Sequence, residues 1–414
     1  MLKLFRIILS CLIFAMVLTG CSKGDTPKVS DNVFKQDWSQ IEAAAEGTEV
    51  RMYMWGGDDN VNRYMDQWVA PRLKEQYGVT LVRTPMNAPE FMQKLMTEKK
   101  ANSLKGTMDI VWINGENFKN VKANDLLSEP FVQILPNYNS FVDGNSNNII
   151  FDFGTPVDGK EAPWGKVQFV YLYDSAKVKN PPANFTELAQ WVKENPGKFT
   201  YPDPNDFTGN AFLRHLLYQQ VGVETLIKEG YNPSLVSDKS KVMWSYLKDI
   251  KPYLWKKGQT YPQSLTQLDQ MYSQGEVWIN MGYNEARAEA LIKQGVFPKT
   301  TKSFIMDPGS IGNTHFLAIP YNSPNVAGAL VAINFLLSPD AQLAKMDPAG
   351  WGDNTVLDIN KLPVEYKNKL DNLQRGASVL KAEDLANNLL PEFTPEYVNW
   401  IKETWLSEVG KTSN

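Results

Sequence analysis

Short apolar runs alternate with segments of helical periodicity from about Glu49 onward. Runs of strand length, each followed by turn residues, occupy residues 50–55, 79–83 and 108–113. After the first run, apolar side chains recur at helical spacing, at Val61, Tyr64, Met65, Trp68, Val69, Leu73 and Tyr77. A second helix is predicted over residues 89–101, and Pro71 is expected to kink the first. Strands that alternate with helices predict an α/β fold.

The first and third of these predicted strands end in turns rich in glycine, asparagine or aromatic residues, where an open parallel sheet usually binds its ligand. The same organisation returns twice, since residues 199–201 and 277–279 also lead through such turns into helices. Glycine lets a ligand approach the backbone, and asparagine offers both a donor and an acceptor. Both residue types are also ordinary in turns. The candidate contacts are Trp55, Gly56, Gly57, Asn114, Gly115, Glu116, Asn117, Gly209, Asn210, Asn280, Tyr283 and Asn284.

The N-terminus has a different pattern. Lys3 and Arg6 precede an apolar run over residues 7–18, which is too short for a transmembrane helix and leads to Cys21. This order is typical of a bacterial secretion signal and resembles a lipobox, in which the cysteine is lipidated after residues 1–20 are removed. Residues 21–32 would then be a polar tether. The alternative is an ordinary secretory signal with a cysteine near its cleavage site.

Composition limits the function further. About 390 residues would remain after cleavage, enough for two or so domains with proper cores. Cys21 would be the only cysteine left, so no disulfide is expected. The formal net charge is −4 and basic tracts are absent, which makes nucleic acid a poor candidate partner. Some of the 12 tryptophans are expected to face a ligand. Trp55 is placed to stack on one, whereas Trp112 and Trp278 lie mid-strand and are expected in the core.

The sequence lacks the motifs of nucleophilic hydrolases, phosphate-binding loops, dinucleotide-binding folds and zinc hydrolases. The only histidines are His215 and His315. His215 lies on an apolar helix face and is expected to be structural, whereas His315 is placed where it could reach a cleft. No catalytic residue, metal or cofactor is therefore expected. The motifs leave open one enzymatic alternative, a membrane-anchored carbohydrate hydrolase that uses two carboxylates.

Three blocks resemble the substrate-binding lipoproteins of ABC importers, most closely those of the YnjB type. They are Met54-Trp55-Gly56-Gly57, residues 109–118 with the sequence Trp-Ile-Asn-Gly-Glu-Asn at its centre, and residues 163–171. The proline pair at residues 181–182 and the segments 318–324 and 335–342 are similar to more general features of such proteins. The resemblance covers essentially all of the mature chain. It adds Trp164 and Gln168 to the candidate ligand contacts.

The resemblance implies an α/β, two-lobed periplasmic-binding-protein fold of type II, with a ligand cleft between lobes that are joined by crossing hinge strands. Lobe 1 would comprise residues 33–163 plus 309–355, and lobe 2 residues 164–308. A C-terminal helical segment, residues 356–414, would brace the lobes. Solute binding would close the lobes by hinge motion, and the importer would recognise the closed form.

By the same resemblance, the chain is expected to be an exported, monomeric, lipid-anchored protein at the periplasmic or cell-surface face of a bacterial membrane. It would deliver a small solute to an ABC permease and its ATPase. The amide side chains suit a polar organic solute, and helix N-termini favour an anionic group on it. Glu116 and Glu285 with Trp55 could instead hold an organic cation. Tyrosine oxygens are also available for an iron ion. The expected order is an organic solute first, an anion second and a metal third.

Overall fold

The computed structural model describes residues 33–410. The predicted signal peptide, Cys21 and the tether lie outside the described residues. An N-terminal unit that ends at Asp37 contributes the 3-10 turn Val33–Lys35. The chain from Trp38 onward forms a second unit, which contains both of the sheets described below.

The described residues form strands and helices that largely alternate along the chain. The strands are β1 (Glu49–Met54), β2 (Thr80–Pro85), β3 (Ile110–Ile113), β4 (Phe151–Asp152), β5 (Thr155–Pro156), β6 (Glu161–Gln168), β7 (Val170–Asp174), β8 (Ile279–Gly282), β9 (Thr301–Phe304), β10 (Ser310–Ala318) and β11 (Leu389–Leu390). The α-helices are Trp38–Ala45, Asp59–Arg63, Ala70–Tyr77, Ala88–Lys100, Gly115–Ala123, Pro136–Phe141, Asn147–Ile150, Phe185–Glu194, Phe207–Val221, Val223–Glu229, Pro233–Ile250, Leu265–Ser273, Arg287–Lys293, Val326–Leu336, Pro339–Met346, Val364–Asp371, Ala382–Asn387 and Pro395–Trp405. Shorter π and 3-10 turns connect several of them.

The first sheet has the strand order β11-β10-β3-β1-β2, and β6 also pairs with β10. β1 runs parallel to both β2 and β3, whereas β10 is antiparallel to β3 and β6. Parallel neighbours end at the same edge of a sheet. The carboxyl ends of β1 and β3 therefore place Trp55 and Asn114 near each other.

The second sheet is antiparallel, with the order β8-β7-β9. The chain leaves the first sheet through Phe169, the single residue between β6 and β7, and returns between β9 and β10. The backbone N–H of Phe169 donates to the carbonyl of Ile311 at 2.9 Å, and the hydroxyl of Ser310 donates to the carbonyl of Phe169. The two crossings thus lie side by side. The expected lobe boundary between residues 163 and 164 falls inside β6.

The core around the second sheet extends into the C-terminal helix Pro395–Trp405. Tyr397, Ile401 and Trp405 of this helix are buried in the same cluster as the apolar side chains of helix Phe207–Val221. The indole Nε1 of Trp405 also donates to the hydroxyl of Tyr201 at 3.1 Å. The C-terminal helix is therefore packed as part of the second-sheet core.

Two local features differ from the sequence pattern. Pro71 has no N–H to donate, and the helix before it forms a π-helical turn, Tyr64–Val69, before it continues as Ala70–Tyr77. The expected strand at residues 199–201 is wrong, because this segment joins neither sheet. Prolines at 202 and 204 lack the N–H groups that would extend a ladder.

Within residues 33–410, the only apolar stretch long enough to cross a membrane is the bent pair Val326–Leu336 and Pro339–Met346, which qualifies by length and composition alone; no single helix does.

Candidate functional site

The carboxyl ends of β1 and β3 meet at a group of aromatic rings. Trp55, directly after β1, is 40% exposed, and its indole lies edge-on to that of Trp112 with 6.4 Å between the ring centroids. Trp112 also contacts Trp164 at 5.3 Å, His315 at 4.8 Å and Trp351 at 5.8 Å. These five residues, the tryptophan–histidine cluster, come from strands β3, β6 and β10 and two turns.

A buried ion pair contacts this cluster. Lys345 Nζ lies 2.6 Å from Asp353 Oδ2, and neither side chain is exposed. Burial lowers the pKa of Lys345, and the Asp353 carboxylate opposes that shift. The ammonium is also 5.4 Å from the ring centroid of Trp351. Strand β6 carries Gly165 at this point because a Cβ would collide with the Asp353 carboxylate and lie 2.7 Å from Lys345 Nζ and 2.9 Å from the ring of His315.

The turn after β8 reaches the cluster from the second sheet. Asn284 has a left-handed backbone with φ 70°, a conformation that asparagine tolerates, and its Nδ2 donates to the carbonyl of Trp351 at 3.3 Å. The next residue, Glu285, is buried and accepts hydrogen bonds from the side chain of Asn354 and the backbone N–H of Gln168. This turn therefore holds the loop that carries Trp351.

Charged groups lie beside the turn after β1. Asp58 Oδ1 accepts the backbone N–H of Asn60 at 2.7 Å. Burial raises the pKa of Asp58, while its backbone hydrogen bonds and the charge of Arg287 act in the opposite direction. Arg287 pairs with Asp269. Gln294 Nε2 donates to Asn60 Oδ1 at 2.6 Å, so this turn also contacts elements of the second sheet.

A second set of contacts joins the β4–β5 hairpin to the second-sheet core. Phe153 at the hairpin tip has φ 45°, and its ring lies 6.1 Å from that of Phe207. The guanidinium of Arg214 is 5.5 Å from the Phe153 ring. Arg214 is wholly buried, pairs with Glu392 and donates to the hydroxyl of Tyr283 at 3.3 Å. The buried guanidinium of Arg214 thus lies against a ring of the hairpin, Phe153, and a ring of the helix, Phe207.

The C-terminal helix contacts the helix that follows β3. Glu396 pairs with Lys119, and Asn399 Nδ2 donates to Glu116 Oε1 at 2.9 Å. Lys402 Nζ lies 3.7 Å from the other oxygen of Glu116. Glu116 is therefore already engaged by protein side chains.

Helix N-termini near these turns are capped by carboxylates of the chain itself. Asp58 and Asp206 each accept two backbone N–H groups of the helix that follows. Asp152 accepts the N–H of Gly115 at 2.5 Å, and burial raises its pKa to about 8. These amides would otherwise be the natural binding groups for an anion.

Seven of the remaining predicted contacts lie at or next to these surfaces. Asn114 Oδ1 accepts from the Trp112 indole at 3.0 Å, and Asn114 Nδ2 donates to the carbonyl of Thr314 at 2.5 Å. A Cβ at Gly57 would collide with the Trp55 indole, so this glycine lets the ring lie over the backbone. Gly56 follows the end of β1, and Gly115, Glu116 and Asn117 follow the end of β3. Tyr283 is 8% exposed, and its hydroxyl donates to Glu392 and accepts from Arg214.

Five predicted contacts point into the protein instead: Trp164, Gln168, Gly209, Asn210 and Asn280. Trp164 is fully buried within the cluster. The side-chain amides of the other three polar residues bond to protein oxygens at 2.8 to 3.1 Å. A Cβ at Gly209 would collide with the carbonyl of Pro202. Trp164 Nε1 and Asn210 Oδ1 are buried without a hydrogen-bond partner among the described residues. These five contacts therefore stay predictions, and the bonded amides of Gln168 and Asn280 are the least available to a solute.

Sequence reasoning placed Trp112 in the core and did not single out Trp351, Asp353 or Lys345. Trp112 is half-buried, and its ring neighbours His315 and Trp351 come from distant segments of the chain. A signal for Trp351 was present, because it lies between two glycines as Trp55 lies before two. His315 was expected where it could reach a cleft, and its ring is part of the tryptophan–histidine cluster.

His215 is structural, as expected. Its Nε2 accepts the backbone N–H of Ile311 at 2.9 Å, so the proton is on Nδ1, which lies 2.7 Å from the carbonyl of Ala211. Burial lowers the pKa of His215 to about 3. This neutral imidazole connects helix Phe207–Val221 to the start of β10.

Two surface cavities lie away from the cluster. One of about 550 Å³ is lined by residues that include Asn184 and Asp307, and one of about 670 Å³ by residues that include Trp68 and Asp340. Neither is lined by a predicted site residue. Among residues 33–410, no group of three or more His, Cys, Asp or Glu side chains is arranged to hold a metal.

Comparisons with known proteins identify the family. The family described as bacterial extracellular solute-binding protein matches residues 67–368. Protein YnjB of Escherichia coli (strain K12) is 36% identical over 376 residues, which are 90% of this chain and 94% of YnjB. The spermidine/putrescine-binding periplasmic protein of the same organism is 26% identical over 329 residues, 76% of this chain and 83% of that protein.

A solved structure confirms the fold. The Atu4243-GABA receptor superimposes with a TM-score of 0.62 at 16% identity, over 88% of this chain and 99% of the other. The α/β architecture is accordingly the two-lobed type II periplasmic-binding-protein fold, as expected. Family and fold are those of transport proteins, which are not enzymes. The chain belongs to the bacterial extracellular solute-binding proteins, the substrate-binding components of ABC importers.

Proposed function

We propose that this protein binds a small organic solute between its two sheets, against the exposed face of the tryptophan–histidine cluster, and delivers it unchanged to an ABC permease and its ATPase. One observation carries the proposal. The partly exposed indoles of Trp55 and Trp112 belong to a cluster that includes Trp351, and Asn284 in the turn after β8 donates to the carbonyl of Trp351. Aromatic surface and polar groups from both sheets therefore converge at one place.

The site favours a solute with a cationic or flat apolar portion. Indole faces attract organic cations, and the Asp58 carboxylate lies three residues after Trp55. Asp58 replaces Glu116 and Glu285 as the proposed acidic partner, because its two helix-capping hydrogen bonds both use Oδ1, whereas both oxygens of each glutamate contact protein groups. Two similar proteins carry names that refer to amines, spermidine/putrescine and GABA.

An anion ranks below a cation for a physical reason. The backbone N–H groups at the nearby helix N-termini are occupied by Asp58, Asp152 and Asp206. An anion would have to displace these carboxyl groups from the amides or lie beside those that are ionised. A metal ranks last, since the described residues hold no cluster of three ligating side chains.

The remaining parts of the proposal concern location and motion. The protein is exported, anchored by lipidated Cys21 at the periplasmic or cell-surface face of a bacterial membrane, and monomeric. Its lobes are residues 33–163 plus 309–355 and residues 164–308, with residues 356–414 as a brace. The lobes close on solute by rotation about the adjacent crossings at Phe169 and Ile311.

Thermal unfolding of the soluble form, which starts at Ser22, tests which solute the protein binds. The probes are putrescine, spermidine, GABA, thiamine, sugars, amino acids, oxyanions and ferric chelates. A probe at 100 times its Kd should add about 2.7 kcal/mol of stability, which raises Tm visibly. The expected result is a rise with an amine and none with an oxyanion, and mass spectrometry should recover the probe unchanged. A probe that is consumed would instead favour the hydrolase.

The anchor is tested separately in whole cells. The wild type should incorporate labelled fatty acid and fractionate with membranes, because two acyl chains give stable anchoring. The Cys21→Ser variant should lose the label, and its failure to do so would contradict lipidation. Light scattering of the soluble form, with and without a stabilising probe, should give the molar mass of a monomer.

A further inference from the structure

We infer that His315 is the polar solute contact of this site, with its Nδ1 accepting a hydrogen bond from an N–H or O–H group of the solute and Asp353 positioning the ring. The inference rests on the proposed function, because it requires that the solute lie against the tryptophan–histidine cluster. It names the atom that receives the solute and the chemical group that the solute must present.

Asp353 determines which nitrogen of His315 carries the proton. Asp353 is wholly buried, and among the described residues its Oδ1 has no hydrogen-bond partner. His315 Nε2 lies 3.4 Å from this oxygen. A buried carboxylate oxygen without a donor is costly, so the proton of a neutral imidazole is stabilised on Nε2. Nδ1 is then a bare acceptor.

The carboxylate itself is held in place. Lys345 Nζ occupies the other oxygen, Oδ2, at 2.6 Å and also donates to the carbonyl of Asn354 at 2.7 Å. Gly165 permits the close approach of this ion pair to β6. Asp353 therefore cannot follow a rotation of His315, and it fixes the orientation of the ring.

Two indoles restrict the imidazole further. Trp351 stacks on it with 5.7 Å between centroids and 17° between planes, while Trp112 meets it at 75° and 4.8 Å. The His315 side chain keeps 12% exposure, and its Nδ1 has no hydrogen-bond partner among the described residues. An oriented acceptor in an aromatic surface selects solutes that carry a donor beside an apolar or flat group. Protonated amines have this chemistry.

Nitrogen-15 NMR of the solute-free protein tests the positioning step. The chain has only two histidines, so the spectrum of His315→Phe assigns the remaining imidazole signals to His215 and the missing ones to His315. The neutral form of His315 should carry its proton on Nε2, and Asp353→Asn should redistribute it between the nitrogens. A proton on Nδ1 in the wild type would overturn the inference.

Calorimetric titration tests the solute contact, with whichever of putrescine, spermidine, GABA or thiamine stabilises the wild type. His315→Phe keeps an aromatic ring but removes the acceptor, and it should raise Kd at least tenfold. His315→Gln retains an acceptor and should lose less. Tyr253→Ala, far from the cluster, should bind as the wild type does.

The outcomes separate the two proposals. Equal Kd values for the wild type and His315→Phe would overturn the inference and leave the proposed function intact. If no probe stabilises the wild type, the proposed function fails, and the solute contact fails with it. Cooperative unfolding of each variant, followed by circular dichroism, shows that a changed Kd is not a loss of fold.

Discussion

The guanidinium of Arg214, in helix Phe207–Val221, lies 5.5 Å from the ring of Phe153 at the tip of the β4–β5 hairpin. Beside this contact, the C-terminal helix reaches Glu116 and Lys119 through polar side chains. This edge of the site is therefore joined by ionic and cation–π contacts beside the Phe153–Phe207 ring contact. Such contacts form and break at low cost, as a hinged binding protein requires.

The Lys119–Glu396 pair should stabilise the solute-bound arrangement. Both side chains are partly exposed, so the pair contributes about 0.2 to 1 kcal/mol. Lys119→Glu should therefore raise the Kd of a bound amine by up to about fivefold. The double variant Lys119→Glu with Glu396→Lys should restore affinity, and 0.5 M salt should erase the difference.

A matched control is available in the same chain. Lys193 and Asp249 form a similarly exposed pair between two helices of the second-sheet half. Lys193→Glu should change Tm slightly but leave Kd unaltered. If it weakens binding as much as Lys119→Glu does, the effect is one of net charge and not of the contact.

Replacement of Trp55 by alanine should reduce affinity more than stability. The indole is 40% exposed, so its removal takes little area out of the core. Loss of one aromatic contact with the solute should raise Kd about tenfold, which corresponds to about 1.4 kcal/mol. Tyr253, 38% exposed, is the control for removal of a surface ring. An unchanged Kd for Trp55→Ala would place the solute elsewhere.

Acid should destabilise the protein through His215. Its pKa is about 3 in the fold, whereas the unfolded chain binds a proton near pH 6.5. The folded state binds fewer protons, so stability is full above about pH 6.5 and falls as pH decreases toward 3. The loss at pH 4 should be about 3 kcal/mol. Urea unfolding of the wild type and His215→Gln between pH 7 and pH 4 should show a shallower slope for the variant; equal slopes would contradict this.

Asp152 should lower the stability of the protein as pH rises, whereas His215 lowers it as pH falls. Burial raises its pKa to about 8, so the folded state keeps a proton that the unfolded state releases near pH 4. The contribution of protonated Asp152 to the free energy of unfolding is fully present below about pH 4 and is lost as pH rises through 8. Asp152→Asn retains an acceptor for the N–H of Gly115 and also removes the repulsion with buried Glu161. The variant should be more stable than the wild type at pH 8 and similar to it at pH 4, measured by urea unfolding.

The sequence pattern was sufficient for the elements of the first sheet. β1, β2 and β3 begin and end within two residues of the predicted runs, because turn residues and helix caps mark both ends. The failed strand at residues 199–201 shows the limit of this reasoning. Its two aromatic rings and its threonine are buried, yet pairing depends on partners that a local pattern does not contain.

The site was less predictable, for the same reason. Asn280 has the residue type and position of a ligand contact, but Asp269, eleven residues earlier, satisfies its amide. Trp112 looks like a core residue until residues 315 and 351 are placed beside it. Turn residues identify where a site can lie, whereas long-range contacts decide which side chains remain available.

Phe169 has a consequence for motion. As the single residue between β6 and β7, it leaves only a few backbone torsions through which one sheet can turn relative to the other. Its N–H and carbonyl are both tied to the returning strand at Ile311 and Ser310. If the lobes move as proposed, we expect these two short, hydrogen-bonded crossings to permit rotation of one sheet relative to the other and to oppose sliding between them. A solute would then enter and leave along the path that this rotation opens.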